Sequence, residues 1–164
     1  MSEPFTWGSY LGVGVSLFLA TAAFHFLIGV ATPIAIRTIA TDSTLAVSNR
    51  SDTKAYGKSP EEMIANEPAL RSFRDVVWTI LAGLLVGAAL LEAAVTWFAL
   101  RDGQAWALPT LAVEGVLLIA FWVIALWPYV KAGAPLTLAD LPPFMWVPAV
   151  LLVPATVCAW LGLR

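Results

Sequence analysis

Charge is scarce in this chain. Only 12% of its 164 residues are Asp, Glu, Lys or Arg, where a soluble domain carries about 25%. The nine basic residues do not outnumber the eleven acids, so there is no electrostatic footprint for nucleic acid and none is expected as a partner. There is one cysteine, Cys158, which excludes an internal disulfide and a multi-cysteine metal cage. It lies in an apolar run, where thiols are inert. There is also one histidine, His25, which excludes a haem held by two histidines of this chain and a His-rich metal site. Phosphate-binding Gly-rich loops, G-x-S-x-G, H-E-x-x-H and Cys-x-x-Cys are all missing. No metal and no cofactor are therefore expected, and of the function classes a membrane enzyme is the one the residues support least. The opening MSEPFTWG has no Lys or Arg before its apolar run, which reads as a retained first span and not as a cleaved signal peptide.

Apolar residues are what the chain has in excess: 60% of the total. A domain of this length has no interior large enough to hide that much apolar surface from water. They fall in four runs, each close to the ~20 residues a helix needs to cross hydrocarbon. The spans read from about 7 to 36, 76 to 100, 105 to 127 and 146 to 163. The fold expected is all-α, a single transmembrane domain over 1–164: a polytopic four-helix bundle of up-down topology. The polar loop 37–75 carries a short helix, started by Ser59 as N-cap, Pro60 at the first position and Glu62 in a capping box. Asn66-Glu67-Pro68 breaks that helix and opens another that runs into the second span. Spans two and three are joined by a tight turn at Arg101-Asp102-Gly103-Gln104.

Orientation follows from Lys and Arg. Arg37, Arg50, Lys54, Lys58, Arg71, Arg74 and Lys131 fall on one side, and only Arg101 and Arg164 on the other. The positive-inside rule puts loop 37–75 in the cytoplasm and both termini outside, in a cell (inner or plasma) membrane. Trp7, Tyr10, Trp97, Trp106 and Trp160 suit one interface, and Trp78, Trp127, Tyr129 and Trp146 the other. Trp122 fits neither belt and is expected inside the bundle. Small residues recur every fourth position at Gly8, Gly12, Ser16 and Ala20, and again at Gly83 and Gly87. Such stripes let helix backbones approach, within the chain or in self-association, or against another membrane subunit. The lipid bilayer is the one partner the composition demands.

Ionisable residues inside a span cost about 2.5–3.5 kcal/mol each on insertion scales and are functional candidates by default. There are three: His25, Glu92 and Glu114. Counting from the turn, Glu92 and Glu114 lie at nearly equal depth, roughly 15 Å in. Thr96 is four residues after Glu92, and Thr110 four before Glu114. The expectation is one polar patch of Glu92, Thr96, Thr110 and Glu114. Two carboxyls that close in low dielectric cannot both stay ionised, so the pair could share a proton or hold a cation. His25 reads as deeper by about 10 Å, with water needed to bridge the gap, and quinone binding beside it is a further reading. Arg71 and Arg74, at the membrane surface, are candidate contacts for lipid headgroups or an anionic ligand.

Two stretches carry a likeness to known proteins. The run Tyr56-Gly57-Lys58-Ser59-Pro60-Glu61-Glu62, and the hairpin from Trp97 through Arg101-Asp102-Gly103-Gln104 to Trp106-Ala107-Leu108, resemble small bacterial four-helix integral membrane proteins of uncharacterised function. That resemblance implies the fold and membrane location, and no activity. The function expected is that of a non-catalytic membrane protein: a structural or accessory component, or a small-molecule or lipid binder. The alternative is a proton-linked transporter or channel subunit using Glu92 and Glu114.

Overall fold

A computed structural model describes residues 5–39 and 42–164. Among these the chain is all-helical, with six α-helices and no strand. Four helices are long and apolar enough to cross a membrane: α1 (Tyr10–Thr38), α4 (Ala69–Val95), α5 (Ala107–Lys131) and α6 (Pro143–Gly162). A π-turn over Thr96–Leu100 extends α4 to the tight turn. Large apolar side chains such as Leu84, Leu91, Phe98, Phe121 and Val150 point outward and stand more than half exposed. Water would not tolerate such a surface, but lipid tails do.

Between α1 and α4 the loop holds two short helices, α2 (Asn49–Tyr56) and α3 (Pro60–Asn66). The second is the helix expected from Ser59, whose hydroxyl accepts from the Glu62 N–H. The first has no apolar period; caps define it. Ser48 accepts from the Ser51 N–H at its start, and Gly57 at φ 76° closes its end in the left-handed region. Part of the expected loop 37–75, residues 40 and 41, lies outside the described residues.

The loop is tied down by one buried carboxyl. Asp52 is fully buried and accepts from the N–H groups of Leu45 (2.7 Å), Ala46 (3.2 Å) and Val47 (3.3 Å), from Thr44 Oγ1 (3.1 Å), and from the Tyr129 hydroxyl (2.8 Å) at the end of α5. Tyr56 closes over the same ring, its hydroxyl 3.1 Å from that of Tyr129. Ser51 donates to the Pro135 carbonyl at 2.6 Å, joining the first loop to the one between α5 and α6. In that second loop Thr137 donates to Asp140 through both its N–H and its hydroxyl, which holds the Asp140 carboxyl below the ordinary carboxylate range. The other side of residues 44–45 is held from α4: Arg74 reaches the Thr44 carbonyl, and Trp78 Nε1 donates to the Leu45 carbonyl at 2.9 Å.

In the bundle, α1 is the central strut. It packs along α4 on one side and α6 on the other, while α5 rests on α6. The contact faces are helical stripes: Val15, Phe18, Ala22, His25 and Gly29 on α1, and Trp78, Ala82, Leu85, Ala89 and Glu92 on α4. Glycines bring the backbones together, but different ones from those the four-residue spacing suggested. A Cβ on Gly14 would stand 2.6 Å from the Ala159 nitrogen of α6, and one on Gly29 would stand 2.7 Å from Val86 Cγ2 of α4. Gly12 instead lies under the chain's own Thr6-Trp7 turn, and Gly8, Gly83 and Gly87 have open space where a side chain would be. Gly83 and Gly87 face outward on α4.

Below their connecting turn α4 and α5 part. They share little contact although they are neighbours in sequence, and an open seam runs between them. The expected tight pairing of spans two and three is therefore confined to the turn end. There Ala99, Leu100, Ala107, Leu108 and Leu111 join Val15, Phe18, Ala155 and Ala159 in one apolar cluster. Cations cap the interfaces by lying over aromatic rings: Arg101 is 4.4 Å from Trp97, Arg164 3.4 Å from Trp160 and Lys131 5.9 Å from Trp127.

Candidate functional site

His25 and Glu92 meet in the middle of the bundle. His25 Nδ1 lies 3.3 Å from Glu92 Oε2, with side-chain exposures of 2% and 4%. The gap expected between them closes for a geometric reason. The chain before α1 folds back onto its first turn, with Ser9 bonding Thr6, so α1 begins beyond the α4–α5 turn. Leu100 and Ala99, beyond the end of α4, pack in one cluster with Val15 and Phe18 of α1, while the folded-back Phe5 and Trp7 lie against Arg101 and Trp97. Counting both helices from one surface therefore misplaces His25 by one to two turns.

Glu114 lies on the rim of the same space. Phe18, Thr21 and His25 of α1, Glu92 of α4, Glu114, Gly115 and Trp122 of α5, and Met145 and Pro148 of α6 line a small cavity. Its volume is about 20 Å³, room for about one water. Glu114 is half-buried and makes no hydrogen bond to another described residue. Among the described residues five buried side-chain polar atoms have no partner: His25 Nε2, Thr96 Oγ1, Trp122 Nε1, Trp146 Nε1 and Thr156 Oγ1. Unsatisfied polar atoms are rare in buried positions, and two of the five, those of His25 and Trp122, belong to residues that line this one cavity.

The structure thus brings Glu92, Glu114 and His25 together. It adds Trp122, which sequence reasoning placed inside the bundle without a role. Its indole packs against Phe144, with ring centroids 5.3 Å apart. Thr96 is fully buried one turn from Glu92, at the start of the π-turn, where its carbonyl accepts from the Arg101 N–H; π-turns gather at functional sites. Thr110 is not part of the group. It is exposed and bonds the Trp106 carbonyl. Four residues of helix rotate a side chain by about 40°. Glu114 already sits at the edge of the inward face set by Leu108, Leu111 and Gly115, so Thr110 passes beyond it.

Arg71 and Arg74 are committed to the loop. Arg71 makes a two-pronged pair with Asp42, at 2.9 and 2.6 Å. Arg74 is buried, pairs with Asp75 at 2.9 Å, and reaches the Ile36 carbonyl at the end of α1. Together with Arg37 and Asp75 they line a hollow at the loop-side surface. Among the described residues no group of three His, Cys, Asp or Glu side chains stands close enough to hold a metal ion.

No protein-family model, curated protein or solved structure matches this chain. Its function is therefore read from its own residues.

What the cluster can do follows from its charge balance. In hydrocarbon a net charge is costly. The His25–Glu92 pair has three arrangements with no net charge: a protonated Glu92 donating to Nδ1, an ion pair with both imidazole nitrogens protonated, or an Nδ1–H donating to the carbonyl oxygen of a protonated Glu92. The first two leave a proton on Nε2, and the third leaves it a bare acceptor. Nε2 is therefore a hydrogen-bonding atom awaiting a partner, and a donor in two of the three arrangements.

Proposed function

We propose that this multi-pass membrane protein is a non-catalytic binder of a small molecule, which it holds against His25 where the open α4–α5 seam meets the small His25–Glu92–Glu114 cavity. The observation that carries the reading is His25: buried, fixed by Glu92 through one nitrogen and unpartnered at the other. A purely structural imidazole would spend both nitrogens. The cavity residues offer donors and two carboxyls but no activated nucleophile, which supports binding over catalysis. The uneven distribution of Lys and Arg supports a cell membrane with loop 37–75 inside and the termini outside.

A second reading, proton-linked transport or a channel subunit, draws on the shared cavity of Glu92, Glu114 and His25. Against it stand apolar layers on both sides: Val15, Phe18, Leu100 and Leu111 toward the termini, and Ile36, Trp78 and Phe144 toward the loops.

Native mass spectrometry of protein purified in nanodiscs from its own membrane tests the first reading. An adduct of constant mass is expected on the wild type and not on His25→Leu. Adduct-free wild-type protein, or an adduct unchanged in the variant, would contradict it. Proton flux in proteoliposomes that disappears in both Glu92→Gln and Glu114→Gln would favour the second reading instead.

A further inference from the structure

The seam between α4 and α5 is more than a gap. It forms a groove of about 390 Å³, within the 300–1,000 Å³ usual for small-molecule sites. Its walls are apolar: Leu81, Leu84, Leu85 and Ala88 from α4, with Leu118 and Phe121 from α5. His25 and Trp122 line it as well, and both also line the polar cavity. The groove therefore joins the bilayer side of the bundle to the His25–Glu92–Glu114 cluster. Its rim residues Leu84 and Phe121 are 66% and 67% exposed, so in a membrane it opens onto lipid tails and not onto water.

The chemistry of an occupant is set by the buried, unpartnered nitrogens of the two residues that groove and cavity share. Trp122 Nε1 is a donor and nothing else. His25 Nε2 is a donor in two of the three uncharged states of its pair with Glu92. With Trp122 a fixed donor and His25 able to match it, the two unpartnered nitrogens call for an oxygen that accepts and need not donate: a carbonyl. The apolar walls call for a molecule that partitions into the bilayer. A free anion is disfavoured by the neighbouring carboxyls of Glu92 and Glu114, and a cation finds no acceptor on the groove walls.

We propose that the α4–α5 groove takes a carbonyl-bearing lipophile laterally from the bilayer, its oxygen accepting from His25 Nε2–H and Trp122 Nε1–H. Quinone-like and long-chain ketone head groups share this chemistry. The proposal rests on the cavity being a binding site and adds the ligand class and the way in.

The test uses the full-length protein in phosphatidylcholine nanodiscs and a radiolabelled benzoquinone with a saturated alkyl tail. The matching alkylbenzene, which lacks the oxygens, is the control. The wild type is expected to bind the quinone saturably at one per chain and the alkylbenzene only by non-saturable partition. Ala88→Trp fills the groove from its α4 wall and is expected to weaken binding at least tenfold. His25→Phe removes one donor and is expected to weaken it about tenfold, the measure of one hydrogen bond of ~1.4 kcal/mol. Thermal melting identifies any variant that has not folded; the alkylbenzene control needs no variant at all. Uptake that rises linearly in the wild type would overturn the proposal, as would equal binding of alkylbenzene and quinone. Wild-type binding in a folded Ala88→Trp would also overturn it. If a native adduct on His25 persists while the groove tests fail, the ligand class and route are wrong and the cavity reading survives.

Discussion

Replacing Asp52 by alanine is expected to release the first loop from the bundle. The carboxyl is the shared acceptor of three backbone N–H groups and two hydroxyls. A buried donor stripped of its acceptor costs about 1–3 kcal/mol. Even with water reaching some of the five, local opening should become easier by about 3 kcal/mol or more. Hydrogen exchange reads this directly, since protection at Leu45, Ala46 and Val47 should fall by about two orders of magnitude. Tyr129→Phe removes a single donor and should cost far less. The apolar stripes of α1 and α4 do not involve Asp52, so the membrane-spanning amides should keep their protection. Unchanged exchange at residues 45–47 would mean that the loop is held by something else.

The second large effect is a pair of opposite signs. Glu114→Leu should stabilise the protein, and Glu92→Leu should destabilise it. Glu114 has no hydrogen bond to another described residue to recover its insertion cost, so leucine should gain about 2–3 kcal/mol. Glu92 holds His25; its loss leaves both imidazole nitrogens buried and unpartnered, and breaking a buried pair from one side costs about 3–5 kcal/mol, more than the ~2.5–3.5 kcal/mol of insertion cost that leucine recovers. Unfolding in mixed micelles compares the two, and a double-mutant cycle with His25→Leu isolates the coupling. A carboxyl that costs stability beside a cavity is what a functional position looks like. Destabilisation by Glu114→Leu would indicate a structural bond to that side chain and weaken the binding account.

The spans and the Ser59 cap were legible because each rests on local chemistry: an apolar run long enough for hydrocarbon, and a hydroxyl three residues before a free N–H. The helix α2 was not, because nothing apolar repeats along Asn49–Tyr56; its signal lay in its ends, Ser48 and Gly57. The two glutamates were legible as residues out of place in a span. Their true partner was not. That His25 meets Glu92 depends on how far α1 overhangs the α4–α5 turn, a quantity set by the fold-back at Thr6–Ser9. Likewise, four-residue spacing marks a small-residue face but not which neighbour it meets, so Gly14 and Gly29 carry the close approaches while Gly83 and Gly87 face outward. The lateral groove was beyond reach from sequence. It exists because α1, and not α5, is the helix packed along α4, and helix order around a bundle is not written in any one segment.

The central claim is that His25 and Glu92 form a pair without net charge that presents an Nε2–H to the groove. His25 is the chain's one histidine, so uniformly ¹⁵N-labelled protein in lipid gives a single imidazole spin system. The account predicts a proton on Nε2 at neutral pH, and a shift of that resonance when the alkyl benzoquinone is added. An imidazole with a bare Nε2 and its only proton on Nδ1, insensitive to the quinone, would contradict it.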